Sequence, residues 1–155
     1  AKITTEFRKT TVAARERKEL AGVEAAAIEL HDGTIITARS SELLGPCSAL
    51  ILNAIKHLAG IDHSVKMIPE KLIEPIQKTK VEYLHGKNPQ LHTDEVLVAI
   101  SLLSNHDDNC KNALDQLPRL NGCQMHCTVM ISEVDAKVFK KLGVGVTCDP
   151  VKKRE

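Results

Sequence analysis

Along the chain the spacing of apolar residues switches repeatedly between a helical and an alternating period. Residues 46–60 depart from both patterns, because Cys47, Ala49, Leu50, Ile51, Leu52, Ala54, Ile55, Leu58 and Ala59 leave almost no polar stripe. A helix that is apolar all round has to be covered all round. Pro46 suits the first helical turn, where its missing N–H is unpaired anyway, and Gly60 suits a left-handed stop. These features predict a central, buried helix. Ahead of it, residues 4–20 mix Phe7, Val12, Ala13, Ala14 and Leu20 with Lys, Arg and Glu before Ala21-Gly22. That reads as an exposed amphipathic helix. Residues 23–30 and 34–38 flank His31-Asp32-Gly33, a short-range hairpin signal.

After Gly60, residues 63–68 read as a third strand. Pro69 and Pro75 bracket a turn, since proline disfavours helix at the residue before it, and residues 75–85 read as a helix. A polar loop, residues 86–93, feeds a second apolar helix at 94–103. There Thr93 is the predicted cap, and Asp94 and Glu95 suit the positive end of the dipole. A helix over 108–117 stops at Pro118. Residues 125–132, 135–142 and 144–148 then read strand, helix, strand, a βαβ unit with parallel strands and a right-handed crossover. Residues 151–155 read as a frayed tail. The predicted class is α/β: one domain over residues 1–155, a mixed sheet with helices on both faces (three layers, α/β/α), a hairpin near the start and a βαβ unit at the end.

With 155 residues the chain is long enough to bury a core without disulfides or metal. Its net charge is +1 and its aromatic fraction 2%. There is neither a basic field for a phosphate backbone nor a stacking platform for bases, which argues against nucleic-acid binding. No apolar run is long enough to span a bilayer, so no membrane partner is expected. The cysteines number 5, an odd count without a secretory leader pattern. That predicts reduced thiols and a cytoplasmic location. The chain opens at Ala1 inside a predicted helix, which suggests a piece of a longer protein.

Candidate chemistry is sparse. Asn88, His92, Asp94 and Glu95 sit at the mouth of an apolar helix, where backbone N–H groups receive anions and a histidine can move a proton. The same residue types also serve any helix start. Ser40 and Ser41 lie in the loop above the hairpin and can touch a ligand, or simply form a turn. Cys123-Gln124-Met125-His126-Cys127 carries zinc-ligand types, yet strand alternation puts His126 on the face opposite Cys127. Cys47 at a helix start can be activated, but an apolar surround opposes that, so it reads as interior packing. The sequence contains no H-E-x-x-H, no G-x-S-x-G and no G-x-x-x-x-G-K-[ST]. The expected ligand-binding set is Asn88, His92, Asp94, Ser40 and Ser41, with no metal, no cofactor and no assignable catalytic residue.

At Ile73-Glu74-Pro75-Ile76-Gln77, Lys87-Asn88-Pro89-Gln90-Leu91-His92-Thr93-Asp94-Glu95-Val96-Leu97, Gln116-Leu117-Pro118-Arg119-Leu120-Asn121-Gly122-Cys123 and Thr128-Val129-Met130-Ile131-Ser132-Glu133-Val134-Asp135 the chain resembles a bacterial family of uncharacterised proteins. That family is known as a domain of unknown function, and some members carry an ATP-dependent peptidase label that these residues do not support. The resemblance implies the C-terminal domain of a longer protein, whose upstream region carries a glycine-rich, phosphate-loop-like segment. It also places small residues in relatives where Cys47 and Cys127 stand here. A fainter likeness is topological. Helix, hairpin and buried helix are similar to the opening of zinc-dependent nucleoside deaminases, although Pro46-Cys47-Ser48-Ala49 lacks their Glu and second Cys.

Two functional expectations follow. The first is a non-catalytic module that packs on an N-terminal region, contributing to association with further copies or to one wall of a shared ligand site. The second is a hydrolase-like enzyme domain acting on a nucleotide-like or other anionic small molecule, with Asn88, His92 and Asp94 at its site.

Overall fold

A computed structural model describes residues 8–152. The amphipathic reading of the first helix includes Phe7, and the tail reading includes residues 153–155; these lie outside the described residues. The elements run α1 (Lys9–Ala21), β1 (Ala25–Glu29), β2 (Ile35–Arg39), α2 (Pro46–Leu58), α3 (Glu70–Lys78), α4 (Thr93–Leu103), α5 (Asp108–Leu114), β3 (Gln124–Cys127), α6 (Glu133–Leu142) and β4 (Gly145–Cys148). A π turn at Thr79–Tyr83 follows α3, and a 3-10 turn at Leu117–Leu120 follows α5.

Among the described residues the strands form one four-stranded sheet in the order β2-β1-β3-β4. β1 pairs antiparallel with β2 and with β3, whereas β3 and β4 are parallel. The fold is thus the expected α/β class, with the hairpin and the terminal βαβ unit in place. Asp32 makes the hairpin turn by accepting the Thr34 N–H at 3.0 Å. Gly33 occupies the left-handed region at φ 88°, where a side chain would be strained.

α2 is the buried helix that the apolar pattern demands. It packs on β1 and β2, while α4 and α5 cover its back. Its apolar core residues Leu50, Ile51, Ala54 and Ile55 are all but inaccessible. Three polar side chains in this helix each find a backbone partner in a neighbouring segment. Ser48 Oγ donates to Leu91 O at 2.8 Å, and Asn53 Nδ2 donates to Thr37 O at 3.1 Å. The Lys56 ammonium donates to His63 O at 2.9 Å and also to Val65 O. Burial pulls the Lys56 pKa below its ordinary value.

That lysine explains the first departure from the sequence reading. Residues 63–68 are not a strand. Asp62 takes the Ser64 N–H at 2.9 Å on its side chain and the Val65 N–H at 3.0 Å on its carbonyl. With Lys56 holding the carbonyls of His63 and Val65, that stretch has little left to offer a ladder. The second departure is α3, which begins at Glu70 and runs through Pro75. Lys71, four residues earlier, is exposed, so water can solvate the carbonyl that Pro75 leaves without an N–H. The third is Thr93, which begins α4 rather than capping it; its hydroxyl donates to Asp135 Oδ1 at 2.6 Å.

α1 lies across β1, β2 and β3 on the other face of the sheet. The buried side of this helix consists of Thr10, Thr11 and Ala14, while Leu20 is 82% exposed. Of the apolar residues that suggested an amphipathic helix, Ala14 packs fully, whereas Leu20 does not. β1 offers Ala25 and Ala27 on this face, and small residues on both surfaces let helix and sheet approach closely. Ile55→Ala should lower the unfolding free energy by about 2–5 kcal/mol, and Leu20→Ala should change it by less than about 0.5 kcal/mol. Chemical denaturation of both variants checks this ranking.

Candidate functional site

The carboxyl ends of β2, β3 and β4 open on one side of the molecule, beside the first turn of α2. A broad groove of about 1830 Å³ lies there. It is bordered by Ser40 and Ser41 after β2, by Val129 after β3, by Val151 and Lys152 after β4, and by residues 87–92 of the polar loop. Cys47 and Cys127 form part of its floor. Ligand sites in open α/β sheets commonly occupy this position, outside the carboxyl ends of the strands.

Gln90 is the residue that shapes the groove. Its side-chain amide donates to Ser40 Oγ at 2.8 Å and to Ser41 O at 2.5 Å, and its N–H is held by Asn88 Oδ1 at 3.0 Å. The adjacent Leu91 N–H donates to Leu43 O at 3.0 Å. Ser41 Oγ accepts the N–H groups of Leu43 and Leu44 at 3.2 and 3.1 Å. Two loops that are 50 residues apart in sequence are thereby knitted into one wall. Glu95 completes the seam by accepting the His92 N–H and the Lys80 ammonium, each at 2.8 Å.

Of the five residues expected at a ligand site, Asn88, His92, Ser40 and Ser41 all line this groove. Asp94 does not. It lines a separate apolar cleft between α3 and α4, and its carboxylate accepts the Glu95 N–H at 2.8 Å. The helical turn points residues 92 and 94 in different directions, which a contiguous polar cluster in the sequence conceals. Gln90 is not legible as a site residue because a single glutamine in a polar loop carries no spacing signal.

Cys47 is buried, and the Cys127 sulfur beside it, together with burial, pushes its thiol well up. It is therefore a packed, protonated thiol at neutral pH. Elsewhere, burial pushes Cys110 up to about 11. The strand places Cys127 against α2 and turns His126 to the α1 face, so the zinc-like run does not converge on one point.

His126 instead joins a buried cluster under α1. Its Nδ1 lies 2.6 Å from Thr147 Oγ1 and its Nε2 lies 3.0 Å from Asp149 Oδ1. Arg15 on α1 donates to the same carboxylate at 2.8 and 3.3 Å. A carboxylate only accepts, so the imidazole proton sits on Nε2. Burial, reinforced by Arg15 and opposed by Asp149, lowers the His126 pKa below its usual 6.5. The Arg15 guanidinium, and to a lesser degree His126, holds the Asp149 carboxyl below its usual 3.8 against the effect of burial. The cluster clamps α1 onto the sheet and is closed to solvent at His126.

The chain matches the family described as "Domain of unknown function DUF1846, C-terminal" over residues 6–155. The chain belongs to this family. Its similar relatives include a UPF0371 protein of Corynebacterium aurimucosum, 49% identical over 144 residues, which are 93% of this chain and 29% of that protein. A UPF0371 protein of Corynebacterium glutamicum is 44% identical over 152 residues, 98% of this chain and 31% of that protein. A third, from Streptococcus thermophilus, is 40% identical over 148 residues, 96% and 30%. The chain thus spans about three tenths of the relatives it matches. Among the described residues no helix is long and apolar enough to cross a membrane.

The sign of the His126 shift fixes a pH dependence for this DUF1846 C-terminal domain. A histidine whose folded pKa lies below its unfolded one binds protons preferentially when unfolded, so stability falls as pH drops below about 6.5. The Asp149 contribution is lost only at lower pH, below about 4, as that carboxyl takes its proton. Urea titrations from pH 7.5 to 5 should show a declining unfolding free energy for the native chain and a flatter profile for His126→Gln. Parallel profiles for the two would contradict this assignment.

Proposed function

We propose that the domain is a non-catalytic wall of a ligand site that the N-terminal region of the longer family protein completes. The observation that carries this reading is the state of the polar groups around the groove. Ser40, Ser41, Asn88 and Gln90 spend their hydrogen bonds holding two loops together, and Cys47 is kept protonated. These side chains build a surface, not a nucleophile with its base. The groove is nevertheless large and placed where α/β sheets bind ligands.

The chemistry of the rim suggests a polar small molecule with an anionic group. α2 starts at the groove without a side-chain cap, with Gly45 before it and Pro46 in its first turn, so its early N–H groups and dipole favour negative charge there. Arg39, Lys87, Lys152 and His92 line the same groove, whose rim also carries the acids Glu24, Glu42, Glu70 and Asp135. The length of the relatives, more than three times the matched segment in each case, supports an upstream region able to close the open side.

Isothermal titration of a full-length family protein carrying this domain with ATP, AMP, inorganic phosphate and citrate tests the reading. At least one probe should bind. His92→Ala and Arg39→Ala should each weaken it by about tenfold or more, the loss of one charge-assisted hydrogen bond. Affinities unchanged by both substitutions would remove the groove from consideration. Turnover of a probe that His92→Ala abolishes would replace a wall with an active centre.

A further inference from the structure

The cleft between α3 and α4 is separate from the groove. It encloses about 640 Å³ and is lined by Leu72, Ile76, Val98, Ala99, Leu102 and Leu103, with Asp94 and Glu95 at one end. Val98 is 59% exposed and Leu102 71% exposed, one turn apart on α4. Leu72 on α3 is exposed as well. Isolated exposed apolar residues need no explanation, whereas apolar residues gathered in one cleft with acids at its end form a candidate docking surface.

We infer that this cleft receives an amphipathic helix from the N-terminal region of the same polypeptide. The inference rests on the reading that an upstream region completes the molecule, and it names where that region docks. Three observations favour this occupant. First, two ridges, Leu72 and Ile76 on α3 and Val98 and Leu102 on α4, are both spaced four residues apart. A groove of that kind accepts the i, i+3/i+4 anchors of a third helix. Second, Glu95 is already held by Lys80 and the His92 N–H, whereas Asp94 is exposed at the mouth. It suits a basic residue at one end of the incoming helix. Third, the matched segment is only 29–31% of the relatives, so most of each polypeptide lies outside the domain. A tethered segment reaches effective concentrations in the millimolar range, which a second copy in dilute solution does not match.

The test reads solvent access at position 98. Val98→Cys is a mild change at an exposed site. Alkylation of the introduced thiol by a maleimide is followed by peptide-resolved mass spectrometry, which separates it from the native cysteines. In a full-length family polypeptide carrying this domain, that thiol should react at least tenfold more slowly than in the 155-residue chain. The protection should not depend on protein concentration. Val98→Glu with Leu102→Glu in the full-length protein should expose a co-introduced Leu72→Cys to the reagent while leaving the 155-residue chain equally stable. Equal rates in long and short forms would overturn the inference. Protection that appears in the short chain and grows with its concentration would assign the cleft to a second copy and overturn it too. Neither readout involves the groove, so probe titrations that fail leave this result standing, and the reverse also holds.

Discussion

Covering α2 on every side is the constraint from which the rest of the structure follows. One side meets β1 and β2 and the other meets α4 and α5, so the buried polar side chains Ser48 and Lys56 have little water to turn to. An unpaired buried hydroxyl or ammonium costs more than a hydrogen bond returns. Ser48 therefore draws the Leu91 carbonyl over the start of the helix, and Lys56 draws the carbonyls of His63 and Val65 over its end. Asn53 ties its middle to β2 through Thr37. The loops are placed by the helix's unmet hydrogen bonds, and the groove is the space left between those loops and the strand ends.

The opposite face of the sheet is built on a different balance. Alanines on β1 allow α1 close, which leaves little apolar area to hold it. Charge and hydrogen bonding supply the remainder, through Arg15 on Asp149 and Lys18 on Glu24 at 3.0 Å. Thr128 links that second pair to the sheet by donating to Glu24 at 2.5 Å and accepting the Ala25 N–H at 2.9 Å. Polar clamps of this kind titrate, so α1 is the layer whose hold depends on pH. The α2 side is held chiefly by apolar burial, and its buried Lys56, whose pKa burial lowers, contributes only in the alkaline range.

What the sequence made legible divides along the same line. The hairpin, α2 and the βαβ unit are announced by local signals: Asp32-Gly33, the continuous apolar run after Pro46, and Gly143 as a left-handed stop at φ 81°. Each depends only on neighbours in sequence. Residues 63–68 look like a strand because Val65, Met67 and Ile68 fit one, yet their backbone is claimed by Lys56 from another element. α1 reads as a helix, but its packed face is not legible, since Thr10 and Thr11 are buried in place of Leu20. The candidate site was half legible. Asn88, His92, Ser40 and Ser41 announce themselves as polar residues in loops, but only three-dimensional contact makes Gln90 the link between them and sets Asp94 at the neighbouring cleft.

The central claim is that the first turn of α2 is interior packing at the base of a groove. Competition between Cys47 and Cys148 for a bulky thiol reagent tests it most directly, because the first is buried and the second exposed. In the native chain Cys148 should label within minutes, and Cys47 should label only at the rate at which the fold opens, slowing further when stabilising osmolyte is added. Labelling of Cys47 as fast as Cys148, unaffected by osmolyte, would contradict the account.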